Sequence, residues 1–86
     1  MLELYQSEGC PHSEKVREKL SELGVSYVNH NPRLPGADGG DVTNELTHSV
    51  LSTVGDDQIP FLVDTERGVT IHESDDIVAY LEQQYA

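Results

Sequence analysis

"LELYQSEGCPHSEKVREKLSEL", residues 2–23, decides the reading of this chain. Leu2 to Tyr5 alternates apolar and acidic residues over a short run, the pattern of a half-buried strand. "SEG" then breaks it as a turn. Pro11 fits the first position of a helix, where its missing N–H leaves no bond unmade. From there Val16, Leu20 and Leu23 recur at helical spacing with charges between them, and Gly24 stops the run. The expectation is a strand at Leu2–Tyr5 and a helix from Pro11 to Leu23, with the lone cysteine, Cys10, at their junction.

Outward from that stretch, "VSYV" (Val25–Val28) reads as a second strand. "NHNPRLPGADGGD" (Asn29–Asp41) holds two prolines and three glycines and is expected to be a loop, a long one for a compact domain. Leu46, Val50, Leu51 and Val54 mark a second helix, with Thr43 as its cap and Gly55 at its end. "IPFLV" (Ile59–Val63) is a strand opening on a proline, "DTERG" a hairpin turn and "VTIH" (Val69–His72) a fourth strand. Ser74 caps a last helix, with Asp75 and Asp76 in its first turn, where the helix dipole favours anions. Its buried stripe is expected to be Ile77, Val78, Leu81 and Tyr85. The order βαβ-α-ββ-α implies a parallel first pair with a right-handed crossover, an antiparallel hairpin, and a four-stranded mixed sheet with helices on both faces. No internal repeat or low-complexity tract interrupts it.

The chain has 86 residues, which fits one domain spanning 1–86 with a small core. Its 36% hydrophobic content, arranged periodically, separates it from disordered sequences. Sixteen acidic against five basic residues give a net charge of −11, so a nucleic-acid backbone is not an expected partner. The acids are spread along the chain as a solvated face, and a surface poor in lysine suits a high-salt cytosol. No stretch has the length of a membrane span, and "MLELYQSEGC" lacks the basic and apolar regions of a leader. A single cysteine excludes an internal disulfide framework. A cytoplasmic monomer is the expectation.

A thiol at a helix start meets free backbone N–H groups and the positive end of the dipole, both of which favour the thiolate. Gly9 keeps bulk away from its approach. Ser13 is placed to donate its hydroxyl or N–H to the sulfur, and a protonated His12 would add to the effect. The thiolate is the nucleophile of disulfide exchange. A buried packing cysteine is the ordinary alternative, and the polar neighbours and strand-to-helix placement weigh against it.

The cysteine–proline pair between first strand and first helix, "IPFLVD" before a hairpin, and "ESDDIVAYLEQQY" in the last helix together resemble the glutaredoxin family. They equally resemble the thioredoxin-fold N-terminal domain of glutathione transferases. The resemblance runs over nearly the whole chain and implies a thioredoxin-like α/β fold. It implies Cys10 as nucleophile and a glutathione site formed by Pro11, His12, Ile59, Pro60, Glu73, Ser74 and Asp75. Pro60 would be cis, and Ile59 would offer its backbone to a peptide-like thiol. Glu73 and Ser74 match the transferase pair that holds the γ-glutamyl end of glutathione, and Asp75 matches the glutaredoxin acid that meets its ammonium. A helix start with free N–H groups suits a carboxylate in its own right.

The implied activity is that of a small monothiol thiol-disulfide oxidoreductase. Ser13 stands where dithiol glutaredoxins have a second cysteine, so Cys10 would attack a mixed disulfide of glutathione or a related γ-glutamyl thiol. It would release a protein thiol and be regenerated by a second small thiol. The partners are thus a low-molecular-weight thiol co-substrate and protein disulfides or mixed disulfides. His12 replaces the aromatic residue common at its position. Ser7 stands where the family often has a Lys or Arg for the substrate carboxylate, and Arg33 and Lys15 are the candidates to take over that duty. Three alternatives remain: a transferase N-terminal-domain fragment, an iron–sulfur carrier, and a non-catalytic thiol-binding protein. Pro11 argues against the carrier, which usually has glycine after its cysteine. No resident metal is expected, because His12, His30, His48 and His72 are widely separated.

Overall fold

The computed structural model describes residues 1–37, 39–55 and 57–86; Asp38, within the long loop, and Asp56, in the acidic "VGDDQ" stretch, lie outside the described residues. The elements are β1 (Leu2–Tyr5), α1 (Pro11–Glu22), β2 (Tyr27–His30), α2 (Glu45–Gly55), β3 (Phe61–Asp64), β4 (Val69–Ile71) and α3 (Ser74–Tyr85). The strands form one sheet in the order β2-β1-β3-β4, with β1 and β2 parallel and the other pairs antiparallel. The expected thioredoxin-like α/β fold, a four-stranded mixed sheet with three helices, is the one observed.

The two-residue alternation of the strands sorts the core onto two faces. Leu2, Leu4 and Leu62 face α1 and α3, where Val16, Leu20, Ile77 and Leu81 complete the larger cluster. Tyr5 and Phe61 point the other way and meet Leu51 of α2. Gly55 lets α2 end against the sheet, since a β-carbon there would lie 2.9 Å from the Phe61 ring. Leu46, Val50 and Val54, which mark this helix in the sequence together with Leu51, are exposed. One sheet face seats two helices, whereas α2 meets its face through Leu51 and Gly55 alone.

Several boundaries differ from the sequence expectation, each for a local reason. The β2 strand begins at Tyr27, not Val25, because the Val25 N–H bonds Leu20 O at 3.0 Å and closes α1, with Gly24 at φ 68. Asn44 caps α2 in place of Thr43, its Oδ1 accepting the Thr47 N–H at 3.1 Å. The β3 ladder starts at Phe61 rather than Ile59, for Pro60 has no N–H to donate. The β4 strand ends at Ile71, one residue before the expected His72. Ser74 is the first residue of α3, and Glu73 is its cap. In the α3 stripe only Ile77 and Leu81 are fully buried, while Val78 and Tyr85 are half-buried.

The long loop is tied down. Ser7 Oγ donates to Leu34 O at 2.8 Å, Gly36 N–H to Glu8 O at 2.9 Å, and Arg33 and Val42 form an isolated bridge. These bonds hold it against the turn that carries Gly9 and Cys10.

Candidate functional site

Three segments converge beside the start of α1. His12 comes from its first turn, Gln58, Ile59 and Pro60 from the turn before β3, and Glu73 and Ser74 from the start of α3. Together they line a cleft of about 100 Å³. The Ile59–Pro60 peptide is cis, as the resemblance implied. Five of the sequence-predicted site residues, His12, Ile59, Pro60, Glu73 and Ser74, therefore meet in one place. Gln58 joins them; it carries no motif signal and is found only through its neighbour Ile59.

The α3 start is shaped for this role by its backbone. Glu73 adopts φ 65 and ψ 117, a conformation that side chains rarely take. Its carbonyl accepts the Ile77 N–H at 3.0 Å while its carboxylate caps nothing, so the side chain lies exposed at the cleft. The N–H groups of the first turn of α3 have no partners within the helix, as at any helix start.

Cys10 is placed differently from expectation. It is the N-cap of α1, directly before Pro11, but only 2% of it is exposed, and its sulfur accepts no capping hydrogen bond. Ser13 does not serve the sulfur: its buried Oγ accepts the Ser7 N–H at 3.3 Å. Gly9 is required by its backbone, at φ 78, and not by open space before the thiol. Pro11 is the first residue of α1 and lies outside the cleft lining.

The lysines and arginines near the cleft are paired with acids. Asp75 lies outside the lining and holds Lys15 Nζ at 2.7 Å. That hydrogen bond and charge hold the Asp75 carboxyl below its ordinary range. Arg33 forks onto both carboxylate oxygens of Asp57, at 3.1 and 3.0 Å, and bonds Gly40 O. Both candidates for the substrate carboxylate are paired in this structure, Lys15 through an exposed ion pair. Of the remaining bases, Arg17 pairs with Glu8, Lys19 with Glu22 and Glu82, and Arg67 with Asp64. The chain contains no lysine or arginine beyond these five. His30 meets Glu3 at 2.8 Å, and His48 Nε2 lies 2.8 Å from Asp57 without hydrogen-bond geometry. Among the described residues no three His, Cys, Asp or Glu side chains gather as a metal site, and no helix is long and apolar enough to cross a membrane.

A second constellation, at the far end of α3, was not legible in the sequence. Asp64 is fully buried. Tyr80 and Tyr85 donate their hydroxyls to its Oδ2 at 2.7 and 2.8 Å, and Arg67 donates at 3.1 Å. Burial opposes the charge, but these hydrogen bonds outweigh it and lower the carboxyl to about 2. Burial and the bond to Asp64 push the Tyr80 hydroxyl up to about 12.

A cis-proline turn beside two helix starts at one end of a mixed sheet defines a thioredoxin-like domain. The family model for the glutathione S-transferase N-terminal domain matches residues 4–86, and the chain belongs to that family. Solved structures agree. Glutathione transferase E6 from Drosophila melanogaster is 26% identical with a TM-score of 0.71, covering 100% of this chain and 36% of that one. The diazinon-metabolizing transferase of the silkworm Bombyx mori is 24% identical with a TM-score of 0.72, covering 99% and 38%. A transferase homologue from Drosophila mojavensis, solved with bound glutathione, is 23% identical with a TM-score of 0.72, covering 98% and 35%. The chain thus spans little more than a third of the transferases it resembles. No curated protein matches it by sequence.

Proposed function

We propose that residues 1–86 act as one domain that binds glutathione or a related γ-glutamyl thiol in the cleft of His12, Gln58, Ile59, Pro60, Glu73 and Ser74. The observation that carries this reading is the convergence of the Glu73–Ser74 pair and the Ile59–Pro60 turn on one cleft. In it the γ-glutamyl carboxylate takes the free N–H groups at the start of α3, a 12-residue helix whose dipole favours an anion there. The Glu73 carboxylate takes the ammonium, a duty first expected of Asp75, which is engaged by Lys15. The backbone of Ile59 pairs with the cysteinyl part of the ligand. The likeness to a transferase homologue solved with glutathione supports the same ligand class.

Family membership favours a transferase-type thiol-binding domain over a free-standing glutaredoxin. A second reading, monothiol exchange, rests on Cys10 capping the helix whose second residue, His12, lines the cleft. In that step the Cys10 thiolate attacks the glutathionyl sulfur of a mixed disulfide. A bond forms between the two sulfurs, the original S–S bond breaks, and the protein thiol leaves as thiolate and takes up a proton. With 2% of Cys10 exposed, the incoming disulfide must displace its cover.

Calorimetric titration with glutathione tests the binding reading. Saturable binding that Ser74→Ala and Glu73→Gln each weaken supports it; no binding contradicts it. Intact mass after incubation with glutathione disulfide tests the second reading: one glutathionyl group, located on Cys10, is the expected product. An unmodified protein that nevertheless binds glutathione leaves binding alone as the function.

A further inference from the structure

We propose that Arg33 is a positioning residue for the cleft: through Asp57 it fixes the turn that presents the Ile59 backbone to the bound γ-glutamyl thiol, without touching the ligand itself. This rests on the binding reading above.

The turn before β3 has little backbone bonding of its own. Among the described residues between Gly55 and Phe61 it has one backbone hydrogen bond, from the Gln58 N–H to Gly55 O at 3.2 Å. Side chains supply the rest of the hold. Arg33 Nη2 donates to both carboxylate oxygens of Asp57, at 3.1 and 3.0 Å, and its Nη1 donates to Gly40 O at 3.1 Å. His48 of α2 brings Nε2 to 2.8 Å from the same carboxylate. The Arg33 and Asp57 side chains are 22% and 39% exposed, against 48% and 86% for Lys15 and Asp75, so solvent and salt screen this pair less. Charge-assisted hydrogen bonds are stronger than neutral ones, and Arg33, bonded at once to Gly40 and Asp57, ties the long loop to the turn.

A second contact runs from the same loop to Ile59. Gly39 packs so closely on two side chains that a β-carbon there would lie 2.9 Å from Arg33 Cδ and 3.1 Å from Ile59 Cδ1. The Ile59 side chain packs in turn against the cluster of Tyr5, Leu51 and Phe61. Loop and sheet thus hold Ile59 itself, while Arg33 holds Asp57 two residues earlier. The loop is anchored to the turn before Cys10, through Ser7 Oγ to Leu34 O and the Gly36 N–H to Glu8 O. Arg33 lies outside the residues that line the cleft, so its part is indirect. A turn already held in place raises affinity because the ligand does not have to order it on binding. The duty first expected of Arg33, meeting a substrate carboxylate, gives way to this one.

The probe is S-methylglutathione, a thioether with no free thiol, and the readout is its calorimetric affinity for the whole chain at a temperature where every variant is folded. Asp57 stands at φ 57, in the left-handed region that aspartate and asparagine tolerate, so Asp57→Asn keeps the backbone and the volume and removes the charge. Arg33→Gln and Asp57→Asn should each weaken binding about tenfold, and the double variant should lose no more than either alone, because the two act as one unit. Arg33→Lys, which keeps the charge, should recover part of the loss, and it takes the place of Arg33→Gln in the cycle should that variant not fold. An Arg33 that met the ligand carboxylate directly would be freed by Asp57→Asn and bind more tightly; that gain, or losses that add in the double variant, overturns the proposal. Unchanged affinity with only a lowered unfolding midpoint also overturns it, leaving a structural ion pair and an intact binding reading. Absence of binding by the unmodified chain overturns both.

Discussion

The two ends of α3 are each organised round an acid, and they could hardly differ more. At the C-terminal end, Asp64 of β3 is buried, and two tyrosines and an arginine close over it. At the N-terminal end, Glu73 stands exposed at a cleft with a strained backbone and no bond to its carboxylate, and Asp75 beside it has an exposed partner. Every acceptor site that matters at Asp64 is used within the molecule. At Glu73 the backbone conformation is unfavourable and the side chain is idle. Saturated hydrogen bonding marks the first as an anchor between sheet and helix; strain without an internal partner is what the proposed binding site draws on at the second. Residue type alone does not separate them.

The largest expected effect tests the anchor. Asp64→Ala should cost about 2–4 kcal/mol in urea unfolding, because it leaves two tyrosine hydroxyls and a guanidinium without their acceptor. The same site gives the stability a defined acid limit. Asp64 has a carboxyl lowered from 3.8 to about 2, so its contribution is complete above the unfolded value and is lost as pH falls between the two. Tyr80 sets the opposite limit: raised from 10.0 to about 12, it contributes below the unfolded value, and that contribution disappears as pH climbs through this window. Thermal unfolding against pH, with Asp64→Ala as reference, separates these contributions from the general acidity of the chain.

The next effect sharpens the contrast from the other end. Glu73→Gly removes the strain at φ 65 and should raise stability by about 1 kcal/mol, while glutathione binding falls. A residue kept only for structure would give the first result without the second. Cys10→Ser should leave the unfolding free energy within about 1 kcal/mol of the parent, since serine is a favoured residue at the helix cap that Cys10 occupies. It should abolish any glutathionylation. Persistent adduct in that variant would mean that Cys10, the only thiol of the chain, is not the site of reaction. The smallest effect belongs to Lys15→Gln. Its pair with Asp75 is half-exposed on one side and largely exposed on the other, and such pairs contribute under about 1 kcal/mol and are screened by salt.

Much of this organisation was legible in the sequence because it rests on local periods. Alternation in "LELY", the 3.6-residue recurrence of Val16 and Leu20, and the hairpin turn around Gly68 state the element order directly. The three motifs also located five of the six cleft residues. What stayed hidden depends on partners distant in sequence. Asp64 reads as part of a turn until Tyr80 and Tyr85 are brought to it. Lys15 and Arg33 look free until Asp75 and Asp57 are placed beside them. The periodicity of α2 gave the helix but not its burial, because an apolar stripe does not reveal how many of its residues the sheet can reach; of the four, only Leu51 is covered. The burial of Cys10 was missed for a related reason, since the covering of a helix start is set by tertiary neighbours and not by the polar residues adjacent in sequence.

The most direct test of the central claim is an amide-resolved NMR titration of the whole chain with S-methylglutathione. The account predicts saturable shifts concentrated at His12, Gln58, Ile59, Glu73, Ser74 and Asp75, with the amides around Asp64 unmoved. Absence of saturable shifts, or shifts centred on the exposed face of α2 or on the Asp64 anchor, would contradict it.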